Sequence, residues 1–184
     1  MKKGKFIVVS GPSGVGKGSI CDKLINELNA WYSVSTTTRS RREGEVHGED
    51  YFFITRETFE EKIKNGDFLE YNFYNGNYYG TPKDIVLQKI NEGIDVFCEI
   101  DVNGAHSIKK IFPSALLIYI APPSIEELRN RLINRGTESI DKVNERMKIA
   151  EKELNEIDFF DYVVVNDDLE SATNKVRNII LKKL

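Results

Sequence analysis

The chain has 184 residues and a net charge of −3, with 40% apolar and 30% charged residues. This length suits one compact domain with a proper core, and the composition is that of soluble globular proteins. The slightly acidic balance argues against a general nucleic-acid binder, and no apolar run reaches the roughly 20 residues of a membrane span. The apolar stretch near the N-terminus is too short for a signal peptide. We therefore expect cytoplasmic residence without nucleic-acid or membrane partners, and the oligomeric state stays open.

Cysteine and arginine carry further information. Cys21 and Cys98 lie far apart, with no second Cys or His at ligand spacing, so we expect buried thiols rather than a disulfide or zinc site. Seven of the nine arginines fall within 39–42 and 129–146. Arginine is suited to bidentate phosphate contacts, so these clusters suggest two anion-binding regions; a chance surface distribution is the alternative.

The first elements in chain order are a buried strand, a glycine-rich loop and an amphipathic helix. Aromatic and charged residues then alternate with turn residues as far as residue 82, which predicts a small β-rich insertion. Thr55 is the expected N-cap of a helix within it, and Asn75-Gly76 is the expected hairpin turn. The predicted strands of this half are 5–10, 50–54 and 68–74, and the predicted helices are 19–28 and 55–64.

Strands and helices alternate regularly after the insertion. Ser124 and Glu127 have the spacing of a capping box, and Asp168 is placed to cap the last helix. The predicted strands are 94–100, 115–120 and 162–165, and the predicted helices are 82–91, 104–111, 139–157 and those that follow Ser124 and Asp168. This alternation predicts an α/β fold whose parallel sheet is flanked by helices on both faces. The active site is then expected at the carboxyl ends of the strands.

Residues 11–17 fit the motif G-x-x-x-x-G-K, between the first strand and the first helix. Backbone N–H groups and the helix N-terminus in such a loop surround phosphate oxygens, and Lys17 adds a charge near the β- and γ-phosphates. The usual Ser or Thr after the lysine is replaced by Gly18, with Ser19 one place later. A hydroxyl contact to magnesium would therefore have to come from Ser19. A plain connecting turn is the alternative, but the flanking strand and helix favour phosphate binding.

Several classes of protein share this loop. The chain has no Asn-Lys-x-Asp run, which disfavours a GTPase, and it is too short for the additional parts of a motor. A small kinase that brings ATP together with a second phosphorylated molecule fits both the length and the two arginine clusters.

Beyond the loop, the sequence closely resembles guanylate kinase over nearly the whole chain and in order. The similar segments are SVSTTTRSRREGE (33–45), GEDY (48–51), GNYYGT (76–81), EIDVNG (99–104), RL (131–132), RGTE (135–138), Arg146 and VNDDLE (165–170). The resemblance implies a P-loop NTPase-type core (1–33, 83–123 and 147–184), a β-rich GMP-binding insertion (34–82) and a helical lid (124–146). It also implies phosphoryl transfer from ATP to GMP, giving ADP and GDP, with Mg²⁺ accompanying ATP. Arg41 stands where relatives usually carry proline.

The resemblance further implies roles for individual residues. ATP would be bound by Gly11, Pro12, Ser13, Gly14, Val15, Gly16, Lys17, Gly18, Ser19 and Asn166, with Asn166 near the adenine. Arg39, Arg42, Tyr51 and Tyr79 would bind the GMP phosphate, and Ser35, Glu70, Thr81 and Asp101 would surround the guanine. The catalytic set would be Lys17, Arg39, Arg131, Arg135 and Arg146.

The chemistry of these residue types agrees with that assignment. Phosphoryl transfer needs positioning and charge neutralisation rather than a covalent intermediate, and Lys and Arg supply both. An ionised Glu70 would accept from guanine N1–H and the exocyclic amine, while Ser35 and Thr81 would donate to O6. Adenine presents the reverse pattern at these positions, so discrimination between GMP and AMP is expected.

Two other functions stay open at this point. Guanylate-kinase-like domains also serve as non-catalytic binding modules that have lost phosphate-loop features, whereas this chain keeps the loop glycines and Lys17. A kinase with a different acceptor, such as another nucleotide, is the second alternative. Turnover of ATP with GMP would exclude the first, and a panel of nucleoside monophosphates would decide the second.

Overall fold

The computed structural model describes residues 2–74, 76–134, 136 and 139–182. Over these residues it contains strands β1 (Phe6–Ser10), β2 (Trp31–Tyr32), β3 (Thr36–Thr37), β4 (Phe52–Phe53), β5 (Phe68–Tyr74), β6 (Asn77–Pro82), β7 (Val96–Glu99), β8 (Leu116–Ala121) and β9 (Tyr162–Val165). The helices are α1 (Lys17–Leu28), α2 (Arg56–Asn65), α3 (Lys83–Asn91), α4 (Val102–Ile111), α5 (Ile125–Asn134), α6 (Ile140–Leu154) and α7 (Leu169–Lys182). A single 3-10 turn, Ile157–Phe159, follows α6.

The predicted parallel sheet is confirmed, with strand order β2-β7-β1-β8-β9. Every residue of β1 is buried, because side chains alternate between the two faces of a sheet that is covered on both sides. Ile7 and Val9 pack on one face in the cluster that includes residues of α1, α6 and α7. Phe6 and Val8 pack on the other face against residues of α3 and α4.

The predicted β-rich insertion is a second sheet of order β4-β3-β6-β5. It is held by aromatic packing under α2, where the Phe59 ring lies 4.4 Å from that of Phe68 and 5.0 Å from that of Tyr78. Leu69 of β5 joins the core cluster beside α4, so the insertion is packed against the main sheet. Tyr78 therefore packs the small sheet against α2.

Several element bounds differ from the sequence predictions. The helices α1 and α4 begin two residues earlier than predicted, and the Asp101 carboxylate caps α4 by accepting from the Gly104 N–H at 2.7 Å. The two-residue strands β2 and β3 were too short to show a periodic pattern. Ser124 accepts from the Glu127 N–H, but the Glu127 carboxylate pairs with Arg131 instead of completing the predicted capping box.

The predicted hairpin turn includes Asn75, which lies outside the described residues, as do Arg135, Thr137 and Glu138 of the predicted lid. Cys21 and Cys98 are buried free thiols, as expected. None of the helices in the described ranges combines the length and apolar character needed to cross a bilayer.

Candidate active site

The phosphate loop joins β1 to α1 at the carboxyl edge of the main sheet. Gly11 has φ 140°, and a Cβ there would lie 2.2 Å from the carbonyl oxygen of Ile120 in β8. Gly16 has φ 97°, and its Cβ would lie 2.5 Å from Nδ2 of Asn166. Only glycine tolerates both the positive φ and such close approach, so the loop is fitted tightly against its neighbours.

Lys17 folds back over the phosphate loop. Its Nζ donates to the carbonyl oxygens of Gly11 at 2.7 Å and Pro12 at 3.1 Å, and it lies 3.9 Å from Oε1 of Glu99. Glu99 is the last residue of β7, the strand paired with β1 in register Val9↔Glu99. The lysine charge is thus held at the mouth of the loop beside a carboxylate.

A cleft of about 710 Å³ opens between the phosphate loop, the N-terminus of α4 and helix α6. Arg146 of α6 donates from a terminal guanidinium nitrogen to the Ser13 hydroxyl, which links this helix to the loop. The volume of this cleft suits a nucleotide-sized ligand. The charged residues lining it include Lys17, Glu99, Asp101, Arg146 and Glu153. The structure therefore places Lys17 and Arg146 of the predicted catalytic set in one cleft with Asp101, which the sequence assigns to the guanine site.

A smaller cavity of about 470 Å³ lies on another side of the loop, lined in part by Val15, Gly16, Ser19, Arg131 and Asn166. Asn166 is buried, and its side chain donates to the Val15 carbonyl at 2.7 Å. Arg131 donates to the Asn166 carbonyl at 3.0 Å and to Glu127 at 3.0 Å. Arg131 and Ser19 thus line this smaller cavity with Asn166, whereas Lys17 and Arg146 line the larger cleft.

A third group of predicted residues surrounds Arg39 in the small sheet. Its guanidinium donates to the Glu45 carboxylate at 2.6 and 3.0 Å, and lies 5.4 Å from the Tyr51 ring centre. The Tyr51 and Tyr79 rings are 6.0 Å apart. Hydrogen bonds from Arg39 and the Arg42 backbone hold the pKa of Glu45 down at about 2. Arg39, Tyr51 and Tyr79 are therefore together, and the Arg42 side chain is exposed beside them.

Glu70 and Thr81 face each other across β5 and β6, and both are buried. The Thr81 hydroxyl donates to Oε1 of Glu70 at 2.5 Å. Burial raises the pKa of Glu70 to about 7, and the nearby Asp101 charge adds to this rise while the Thr81 bonds oppose it. The Thr81 hydroxyl thus donates to Glu70 in this structure, whereas the sequence predicted that it would donate to guanine O6. Ser35 directly precedes β3 and is half-buried. Its carbonyl accepts from the Phe52 N–H at 2.9 Å.

Asp101 has two partners at the rim of the cleft. Its Oδ1 caps α4, and its Oδ2 accepts from Nδ2 of Asn72 at 3.1 Å. Asn72 lies two residues after Glu70 on β5, so strand alternation places both side chains on one face. The Asn72–Asp101 bond therefore joins the small sheet to the main sheet next to Glu70.

Four residues of this region received no role from the sequence: Glu45, Asn72, Glu99 and Glu153. Glu99 directly follows three buried strand residues, a position that could have drawn attention to it. Glu153 lies seven residues after Arg146, so both project from one face of α6. Burial raises the pKa of Glu153, opposed by the charge of Lys17. Glu45 and Asn72 owe their roles to partners that only the folded chain identifies.

The chain is similar to known proteins over nearly its whole length. The family model for guanylate kinase matches residues 3–183. The chain is 49% identical over 180 residues to the guanylate kinase of Clostridium tetani, covering 98% of this chain and 86% of that protein. It is 51% identical over 180 residues to the guanylate kinase of Shouchella clausii, covering 97% of this chain and 88% of that protein. The crystal structure of guanylate kinase from Anaplasma phagocytophilum matches with a TM-score of 0.81 and 33% identity, covering 100% of this chain and 87% of that chain. The chain belongs to the guanylate kinase family.

Proposed function

We propose that ATP and GMP meet in the 710 Å³ cleft, with the phosphate loop on the donor side and the small sheet on the acceptor side. ATP-dependent phosphorylation of GMP to GDP, a reaction of nucleotide metabolism, is the activity of this family. The proposal that the acceptor carries guanine rests on one observation, the buried Glu70 carboxylate. Thr81 orients this carboxylate near the cleft residue Asp101. The three-part division into core (1–33, 83–123 and 147–184), insertion (34–82) and lid (124–146) belongs to the same proposal.

On the donor side, the loop 11–19 binds the phosphates of ATP through its backbone N–H groups and the N-terminus of α1. Lys17 exchanges its bonds to the Gly11 and Pro12 carbonyls for bonds to phosphate oxygens. Asn166 and Arg131 line the smaller cavity, which we assign to the adenosine end of ATP. Arg146 lines the cleft where the transferred group passes, and Arg135 joins it by resemblance alone.

On the acceptor side, Arg39, Arg42, Tyr51 and Tyr79 bind the phosphate of GMP. Burial raises the pKa of Tyr51, so its phenol stays protonated and donates without adding charge. The Tyr51 ring centre lies 5.4 Å from the Arg39 guanidinium and 6.0 Å from the Tyr79 ring centre, which supports a shared role in binding this phosphate.

Guanine recognition follows from hydrogen-bond polarity. The ionised Glu70 accepts from N1–H and the exocyclic amine, and the Ser35 hydroxyl donates to O6. Thr81 orients Glu70 through its 2.5 Å bond, and Asp101, held by Asn72, completes the surroundings of the base. AMP would place an unprotonated N1 against the buried carboxylate, which leaves that charge unpaired.

Mg²⁺ fits the donor side. Glu99 lines the cleft near Lys17, and its Oε2 lies 3.6 Å from the position that a Cβ on Gly18 would take. Carboxylate oxygens are suitable Mg²⁺ partners, and the ion otherwise keeps water and phosphate ligands. We propose that Glu99 would contact the ion. Ser19, the hydroxyl contact that the sequence predicts, lines the smaller cavity, and its contact to the ion stays a prediction. When bound, Mg²⁺ neutralises charge on the β- and γ-phosphates.

Transfer itself needs no general base, since the attacking phosphate oxygen of GMP is already ionised. Lys17, Arg39 and Arg146 stabilise the charge that spreads over the transferred group, and they act by position. No covalent intermediate with the protein is required.

The test is a panel of nucleoside monophosphates assayed with ATP and magnesium. We expect kcat/KM for GMP to exceed that for AMP by at least about 10³. Glu70→Ala should narrow this ratio with little change in KM for ATP, whereas Lys17→Ala should abolish most turnover while the protein stays folded. Equal use of AMP and GMP by the wild type would refute the guanine assignment. Tight GMP binding without turnover would indicate the binding-module alternative.

A further inference from the structure

We propose that Glu45 is a positioning residue that sets Arg39 for the acceptor phosphate, an inference that rests on the proposed binding of that phosphate by Arg39. The Glu45 carboxylate accepts from both terminal nitrogens of the Arg39 guanidinium, at 2.6 and 3.0 Å. It also accepts from the backbone N–H of Arg42 at 2.7 Å. One carboxylate thus fixes the side chain of one phosphate-binding arginine relative to the backbone of the other.

The pair is shielded from water. The exposed fractions of the Arg39 and Glu45 side chains are 14% and 19%, and the guanidinium also lies 5.4 Å from the Tyr51 ring centre and 5.7 Å from that of Phe53. A bidentate arginine–carboxylate pair in such surroundings is held far more firmly than an exposed ion pair. The geometry therefore specifies one orientation of the guanidinium plane.

The contacts of Arg39 leave one edge of that plane directed away from Glu45. A guanidinium has five N–H donors in a planar fork, and Glu45 together with the Ser40 carbonyl uses three of them. The Nε–H and the second N–H of Nη2 form another parallel pair, which matches two oxygens of a phosphate.

Glu45 has a rival role as an internal substitute for phosphate that GMP displaces. The local backbone argues for retention. The Glu45 N–H donates to the Arg42 carbonyl at 3.2 Å and closes a turn, while the carboxylate accepts from the Arg42 N–H. Displacing the carboxylate would leave that N–H without its partner. If Glu45 is retained, removing its charge should weaken GMP binding; if GMP displaces it, removing its charge should strengthen GMP binding.

The experiment compares Glu45→Gln with the control Glu43→Gln, which removes the same charge from an exposed position in the same loop. Isothermal titration calorimetry measures the affinities for GMP and for guanosine, which lacks the phosphate. We expect Glu45→Gln to weaken GMP binding about tenfold or more, because an amide cannot accept both guanidinium donors. Guanosine affinity and KM for ATP should stay unchanged, and Glu43→Gln should match the wild type in every measurement.

Tighter GMP binding in Glu45→Gln would show displacement and overturn the inference. Unchanged GMP binding, or an equal loss for guanosine, would overturn it too. When Arg39→Ala is already present, Glu45→Gln should cause no further loss of GMP affinity, since Glu45 acts through Arg39. If the double variant lost as much additional affinity as Glu45→Gln loses alone, action through Arg39 would be contradicted. If wild-type protein binds guanosine as tightly as GMP, the proposed phosphate site itself fails, a result distinct from failure of Glu45 alone.

Discussion

At the scale of single residues, burial gives Glu70 a chemistry that exposed glutamates lack. Its carboxyl group lies inside the protein with one hydroxyl partner, so that the charged form is disfavoured and its pKa rises to about 7. A guanine base would supply the two donors that the charged form lacks. Glu70 is thus poised to ionise when the correct base arrives.

Glu70 should make stability depend on pH. Its pKa rises from an ordinary value of 4.5 to about 7 on folding, so the unfolded chain loses this proton at lower pH than the folded chain does. The free energy of unfolding should therefore fall as pH rises from about 4.5 to about 7, by up to roughly 3 kcal/mol from this group. Urea unfolding of wild type and Glu70→Gln across this window measures the difference. A constant difference between the two proteins would contradict the buried-carboxyl assignment.

Thr81 should tune the pH dependence of GMP use. Its hydroxyl favours the ionised form of Glu70, so Thr81→Val, which keeps the shape, should raise the pKa of Glu70 further. We expect KM for GMP to fall as pH rises through about 7 in the wild type, and to fall at higher pH in the variant. KM for ATP serves as the internal control. If Thr81→Val raised KM for GMP by the same factor at every pH, Thr81 would contribute packing alone.

At the scale of elements, helix starts determine where the site residues point. The N-terminus of α1 follows the phosphate loop directly, and the N-terminus of α4 is capped by Asp101 at the rim of the cleft. Asp101 therefore belongs both to the helix and to the proposed base site. These two roles can be separated by substitution, because asparagine also caps helices but carries no charge.

Asp101→Asn should leave stability nearly unchanged, whereas Asp101→Ala should lower the free energy of unfolding by about 1 kcal/mol through loss of the cap. Both variants should weaken GMP binding, since both remove the carboxylate that Asn72 holds beside Glu70. Thermal unfolding and GMP titration of the two variants provide the measurements. Normal GMP affinity in Asp101→Asn would restrict Asp101 to its capping role.

At the scale of the whole molecule, the cleft is lined by residues of the phosphate loop, the small sheet, the start of α4 and helix α6. The proposed lid boundary at residue 146 falls inside α6, which runs without a break from Ile140 to Leu154. Arg146 and Glu153 therefore sit on one rigid helix, so a movement of the lid would have to involve α6 as a unit or a bend within it.

Binding of both nucleotides should close the cleft. Bringing Arg39 and Arg146 to the same transferred phosphoryl group excludes water, which otherwise competes as the acceptor. We expect the radius of gyration from small-angle scattering to decrease with GMP and a non-hydrolysable ATP analogue together. Guanosine with the same analogue is the matched control, because it lacks the phosphate that draws the insertion inward. Identical profiles in all states would contradict closure.

The sequence by itself determined the alternating strands and helices, the phosphate loop and the family. These features depend on local patterns: the buried run of β1, the glycines that a tight loop needs, and capping residues such as Thr55 and Asp168. The bounds of β5 and β9 were predicted correctly, whereas β2 and β3 carry too few residues for a pattern.

Only the tertiary structure decided how the charged residues are partnered. Thr81 donates to Glu70 and Lys17 lies beside Glu99 because separate strands and loops bring them together, and the fold of the loop between β3 and β4 brings Arg39 to Glu45. The tertiary structure also divided the predicted binding residues between two cavities, with Arg146 lining one and Arg131 lining the other. The physical reason is that a pKa, an ion pair or a cavity depends on distances and burial between residues remote in sequence, and no local pattern encodes those distances.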